Sequence, residues 1–165
     1  MKAVVLFDTL FGNTEKIANA LTKGLREKGI DADCINIGAV KLEDLPRYDF
    51  LAVGAPTRAF TAAKPIKDFL IRLEAANLSG KLGYAFDTRI DSRLSGSAAK
   101  HIEKKLVAMG VTMVRTPSSA FIQGSGPSDK VGGTTLIPGM EERFEALGRE
   151  IGDALKSGAP AGKTG

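Results

Sequence analysis

The strongest constraint on this chain lies in residues 2–25, where an apolar run gives way to a polar turn and then to a helical period. Ala3-Val4-Val5-Leu6-Phe7 is unbroken, and a short run rich in Val and Leu suits a strand buried on both faces of a parallel sheet. Asp8-Thr9-Leu10-Phe11-Gly12-Asn13-Thr14 follows, carrying two hydroxyls, one amide and one glycine. From Glu15 onward, Ile17, Leu21 and Leu25 recur at fourfold spacing, the mark of one buried helix face. Gly29 is placed to close that helix as its C′ residue. A strand, a hydroxyl-rich turn and a helix form an anion cradle, because the turn's N–H groups and the helix N-terminus face one point. Thr9, Asn13 and Thr14 add side-chain donors without charge, which suits a phosphate held by neutral groups.

The alternation continues along the chain. A second strand is expected over 31–37 and a third, nearly all apolar, over 49–54. A long loop, 55–65, has proline near both ends, and Pro65 suits the first turn of a helix marked by Ile66, Phe69, Leu70 and Leu73. The fourth strand is expected over 81–86 and empties into a loop over 87–96. Ala98, Ala99, Ile102, Leu106 and Met109 mark the next helix, stopped by Gly110. A fifth strand begins at 111–114 and resumes at 120–122 beyond Pro117. The Gly-rich stretch 124–138 has no periodicity and is a candidate lid over the third loop. Phe144, Leu147, Ile151 and Leu155 mark a last helix, and the small polar tail 157–165 is expected to be disordered, leaving a domain of 1–156. The pattern predicts one α/β domain, a doubly wound five-stranded parallel sheet.

The segment from Val5 to Leu21 resembles the flavodoxin signature: two aliphatic positions, an aromatic, a hydroxyl, then a small residue, a threonine, an alanine and an aliphatic at fixed offsets. The order of elements over residues 1–155 is similar to that fold. The resemblance implies strand order 2-1-3-4-5, with ligand at the switch point between strands one and three, where loops 8–14, 55–64 and 87–96 meet. It implies FMN as cofactor, with Thr9, Leu10, Phe11, Gly12, Asn13 and Thr14 around its 5′-phosphate. Pro56, Thr57, Arg58 and Phe60 are then expected on one wall of the ring site, with Asp87, Thr88 and Arg89 on the other. Thr57 aligns with a family hydroxyl near the phosphate and ribityl chain. Phe60 is either a stacking partner for the ring or a residue packed into the base of its own loop. Flavodoxins commonly carry Trp and Tyr on the two flavin faces, whereas this chain has no Trp and its third loop no aromatic. One face is therefore expected to be covered by Ile90 or Leu94, or left open for a substrate.

Charge also departs from the family's acidic habit. The chain holds 23 basic and 19 acidic residues, net +4, with a pI near 9.2. Arg58, Arg89 and Arg93 fall in the two walls, against Asp87 and Asp91. A cation beside the ring favours the anionic reduced flavin, so a less negative potential is expected unless these arginines point into solvent. The basic residues are dispersed among acids, which argues against nucleic acid, and the cluster Lys100-His101-Ile102-Glu103-Lys104-Lys105 reads as the solvated face of a helix. Cys34 excludes an internal disulfide and reads as a small core residue, and one His excludes the usual zinc sites. No apolar run approaches the roughly 20 residues of a membrane span, and the first run stops at Asp8, too short for a secretory leader, so a cytoplasmic location is expected. No Gly-x-Gly-x-x-Gly follows the first strand. The expected role is electron transfer with a partner protein acidic at its docking face, or with a small-molecule acceptor, and with no catalytic side chain or metal of its own. A flavin-dependent reductase or dehydrogenase for a quinone or porphyrinogen-type substrate is the alternative. A flavin-free interaction domain of the same fold is the third reading.

Overall fold

The computed structural model describes residues 1–58, 60–124 and 133–158. In its sheet β1 (Lys2–Phe7) pairs in parallel with β2 (Asp31–Asn36) on one side and β3 (Phe50–Arg58) on the other. β3 pairs in parallel with β5 (Leu82–Ile90), and β5 with β6 (Thr112–Met113) and then β7 (Ser118–Gln123). Two short antiparallel strands are added: β4 (Thr61–Ala62) on β3, and β8 (Thr135–Leu136) on β7. The parallel core thus runs β2-β1-β3-β5-β7, the expected order 2-1-3-4-5 with β6 and β7 sharing the fifth position either side of Pro117.

Helices cover both faces. α1 (Asn13–Glu27) and α4 (Met140–Ser157) enclose one core with Ala3, Val5, Phe7, Tyr84 and Phe86. α2 (Lys64–Leu73) and α3 (Ala98–Ala108) enclose the other with Val4, Leu6, Leu51 and Val53. Successive side chains of a strand point to opposite faces, so the unbroken apolar run in β1 is the requirement of two cores at once. Half-buried Cys34 packs against the α1–α4 core, and burial pushes its thiol pKa up. At the end of α1, Gly29 adopts φ +78°, its N–H donating to the Arg26 carbonyl (2.9 Å) and that of Ile30 to Leu25 (3.2 Å), a Schellman closure. Among the described residues no helix is long and apolar enough to cross a membrane.

Two loop expectations are corrected. The third strand does not stop at Gly54 but continues to Arg58 and turns back into β4, so the second loop is a β-hairpin. The fourth strand continues through Asp87, Thr88 and Arg89 to Ile90. These segments lack an apolar pattern, but Ala55 pairs with Asp87, Pro56 with Thr88, and Arg89 with Phe121, so ladder partners hold them extended where propensity does not. The expected tail is shorter by one helical residue, Ser157, and its residues 159–165 lie outside the described ones.

α1 and α4 touch backbone to backbone at Gly24 and Gly148: a Cβ on Gly24 would overlap the Glu145 carbonyl oxygen, and one on Gly148 that of Leu21. Ala is ordinarily the better helix former by about 0.8–1.0 kcal/mol. Here overpacking reverses the sign, and we expect Gly24→Ala to destabilise the fold by about 1–3 kcal/mol in urea unfolding. A stabilised variant would show that the helices can separate without cost.

Candidate functional site

The carboxyl ends of β1, β3 and β5 open onto a cleft of about 290 Å³. The first loop contributes Thr9, Leu10, Phe11, Asn13 and Thr14; the hairpin contributes Pro56, Thr57, Arg58 and Phe60. Thr88, Arg89, Ile90 and Ser95 form the facing wall, with Ile122 and Thr134 beyond. The three segments expected from sequence therefore do converge.

The first loop is built around Gly12, whose φ of 87° a side chain would resist. Its N–H donates to Thr9 Oγ1 (3.0 Å), and its carbonyl takes the first helical bond, from Lys16 N–H (3.1 Å). Gly12 itself lies in the loop rather than on the cleft lining. The N–H groups of Asn13, Thr14 and Glu15, in the first turn of α1, have no intrahelical partner, and the N-cap residue Gly12 has no side chain to accept from them. Thr14 and Thr88 are buried with their hydroxyl oxygens 2.9 Å apart, which ties the first loop to β5. Asn13 Nδ2 donates to the Thr134 carbonyl (2.9 Å) and hydroxyl (3.0 Å), and Phe11 lies against Gly133. The described end of the Gly-rich stretch thus packs on the first loop; of the expected lid, 124–138, residues 125–132 lie outside the described ones. Thr134 and Ile122 are site residues that sequence reasoning missed. Nothing local marks a threonine that meets a residue 121 positions away.

Phe60 sits at the hairpin tip with φ 72° and 71% exposure, so it is not packed into the base of its loop. Its backbone abuts Gly96, where a Cβ would overlap the Phe60 carbonyl, and this contact locks the hairpin to the third loop. Ile90 lines the cleft, whereas Leu94, 79% exposed, stands outside it.

Asp87 is the clearest displacement from expectation. It is fully buried and absent from the cleft lining. Its Oδ2 accepts from Thr57 Oγ1 (3.1 Å), Ser97 Oγ (2.7 Å) and the Ala99 N–H (3.1 Å), while Thr57 Oγ1 accepts from the Ala98 N–H (2.9 Å). The carboxylate anchors the positive end of α3 and, through Thr57, the hairpin; strand alternation turns it away from the cleft that Thr88 faces.

The arginines divide. Arg89 is held in the wall, its Nε donating to Ser119 Oγ (2.8 Å) and its Nη1 to Ser95 Oγ (2.8 Å) and the Ser92 carbonyl (3.3 Å). Its guanidinium lies 5.3 Å from the Phe121 ring centre, with Nε 4.0 Å from Asp87 Oδ1. Arg58 lines the opposite wall, while Arg93 is exposed and off the lining. Partial burial raises the Asp8 carboxyl pKa, against the opposing pull of the Thr9 N–H and the Arg58 charge.

Neutral donors at one end and apolar walls around the rest fit a phosphorylated, flat-ringed cofactor such as FMN. Thr9, Asn13, Thr14 and the α1 N-terminus are the residues that would hold its phosphate. Among the described residues no cluster of acids, His and Cys suited to a metal ion is present.

Fold and cleft together define a flavodoxin-like domain with its site at the switch point. The flavodoxin family model matches residues 5–147, and the chain belongs to that family. It is similar to an archaeal flavodoxin of known structure, 29% identical with a TM-score of 0.76, covering 94% of this chain and 99% of that one. It is 30% identical over 89 residues to a flavodoxin of Clostridium saccharobutylicum, covering 53% of this chain and 56% of that protein. It is 27% identical over 174 residues to an NAD(P)H dehydrogenase (quinone) of Cupriavidus metallidurans, covering 86% of each. Against the curated relatives matched only in part, the chain spans as little as 23% of their length.

Two tests follow from the site's polar groups. Asp87→Ala strips the acceptor from Thr57, Ser97 and Ala99, and should destabilise the cofactor-free protein by at least about 2 kcal/mol in denaturant unfolding; unchanged stability would return Asp87 to a ligand-facing role. Asp8 binds a proton more tightly folded than unfolded, so its contribution is largest at acid pH and declines as pH rises from the unfolded carboxyl pKa through the raised folded one. Asp8→Asn should therefore gain melting temperature relative to the parent at neutral pH, and gain less at pH of about 4.

Proposed function

We propose that this domain binds FMN and passes electrons between protein partners. The observation that carries the reading is the uncapped N-terminus of α1, set beside Thr9, Asn13 and Thr14 at the closed end of an apolar cleft. FMN supplies one- and two-electron redox chemistry when bound. The chain's own part is binding and electrostatics: N–H and hydroxyl donors for the phosphate, Thr57 and Pro56 along one wall, Thr88 and Arg89 along the other. The setting we infer is cytoplasmic, where the lone thiol of Cys34 stays reduced.

A second reading, a flavin-dependent reductase acting on a quinone or another small acceptor, is favoured by the two arginines in a cleft whose Phe60 wall is open to solvent. The similarity to a quinone dehydrogenase over 86% of both chains points the same way. Turnover of a quinone with a reduced nicotinamide separates the two readings.

Titration with FMN should quench flavin fluorescence, raise the melting temperature and leave an absorbance band at about 450 nm with the protein. Thr14→Ala should weaken FMN binding about tenfold, the worth of one hydrogen bond to a charged group. Arg89→Gln should lower the affinity for reduced FMN relative to oxidised FMN by about tenfold, read as a more negative midpoint potential. A potential unmoved by that substitution would remove Arg89 from the electrostatics of the ring.

A further inference from the structure

The two helical layers carry very different charge. Within α1 and α4, six Lys and Arg face seven acids, and ions cross between the helices: Lys23 with Glu145 (3.0 Å) and Arg149 with Glu27 (2.8 Å). Within α2 and α3, Lys64, Lys67, Arg72, Lys100, Lys104 and Lys105 stand against two acids, Glu103 and Asp68, of which Asp68 pairs with Lys64 (2.5 Å). That excess equals the formal net charge of the whole chain, +4. Lys64, Arg72, Lys100 and Lys104 are exposed. α2 and α3 pack on one core and so lie on the same face of the sheet; half-buried His101 on α3 is kept below the usual imidazole pKa by burial and then by Lys67, Lys105 and Lys104.

The N-terminal end of this surface, with Lys64, Lys67 and Lys100, abuts the cleft. α2 starts two residues after β4, and α3 starts where its Ala98 N–H meets Thr57 Oγ1 in the cleft wall. Of the large exposed apolar side chains, Leu10, Phe11, Phe60 and Ile90 line the cleft and Leu94 stands outside it on the third loop, each about half exposed or more. An apolar centre with a one-signed flank is the layout of an electrostatically steered, short-lived protein contact. We propose that the cleft mouth and the flanking α2–α3 face dock a protein that presents a ring of carboxylates. A second copy of this chain does not suit the site, because two such flanks would set like charges together. The proposal extends the electron-transfer reading, since docking there would bring a partner's redox centre against the cleft.

The test uses the full chain, with and without FMN, and a plant-type ferredoxin as an acidic probe, with cytochrome c as a basic one. Calorimetry should show ferredoxin binding at about 20 mM salt, weakened at least tenfold at about 200 mM, where the screening length falls below the span of the patch. Lys67→Glu with Lys100→Glu should weaken it a further tenfold, and Leu94→Ser should weaken it at either salt. Arg143→Glu with Lys156→Glu, the same charge change on the opposite layer, should leave it within about twofold, with all variants checked for an unchanged melting temperature. Absent ferredoxin binding, tighter binding of cytochrome c, or equal loss from both pairs of substitutions would overturn the proposal. Capture by phosphatidylserine vesicles that depends on Lys67 and Lys100, without ferredoxin binding, would overturn it in favour of a membrane surface. Ferredoxin binding that survives where FMN fails to bind would sustain the docking face and defeat the cofactor reading alone.

Discussion

The constraint on which the structure depends is the burial of β1 on both faces. Val4 and Leu6 enter one core, Ala3, Val5 and Phe7 the other, and none of the five is more than 5% exposed. Such a strand is stable only with helices packed on each side, and right-handed crossovers then set the chain winding outward in both directions from it. The winding reverses next to β1, so the crevice at its carboxyl end is a consequence of topology rather than a feature carved separately. Gly24 and Gly148 belong to the same demand, since α1 and α4 share one face only by bringing backbones together.

Polar groups set the shape of that crevice. Thr14 meets Thr88, Asn13 meets Thr134, and Asp87 gathers Thr57, Ser97 and Ala99. Each contact ties a loop to an element far away in sequence, so the walls are held at a fixed spacing before any ligand arrives. A buried carboxylate that spends one oxygen on three donors is costly to disturb, because every donor it leaves would be unsatisfied. Arg89 gains from this rigidity. Ser95, Ser119 and Phe121 hold its guanidinium in place, and a fixed cation in a low-dielectric wall acts on a neighbour more strongly than a mobile one at the surface.

The distribution of charge separates two jobs. The α1–α4 layer neutralises itself with cross-helix pairs and serves stability, while the α2–α3 layer, with Lys64 paired to Asp68, keeps four more cations than acids. A modest net charge can thus produce a strong local field when one face carries all of it.

The sequence alone determined the class of fold, the sheet order and the position of the phosphate-type turn. The class of fold depends on local periodicity, and the turn on one contiguous motif, Val5 to Leu21, whose apolar run, glycine and hydroxyls report their own surroundings; the sheet order came from the family resemblance that this motif carries. The same resemblance to the flavodoxin signature also placed Thr57, Arg58, Thr88 and Arg89 near the same crevice. Tertiary structure decided what was left. Residues 55–58 and 87–90 are strand rather than loop because of partners such as Phe121 and Ser119, which no local pattern reveals. Asp87 faces α3 rather than the cleft because a strand continued past its apolar run still alternates its sides. Thr134 joins the first loop, and α2 and α3 cover one shared core, through contacts that exist only when distant segments are packed together; hydrophobic spacing along a chain cannot encode them.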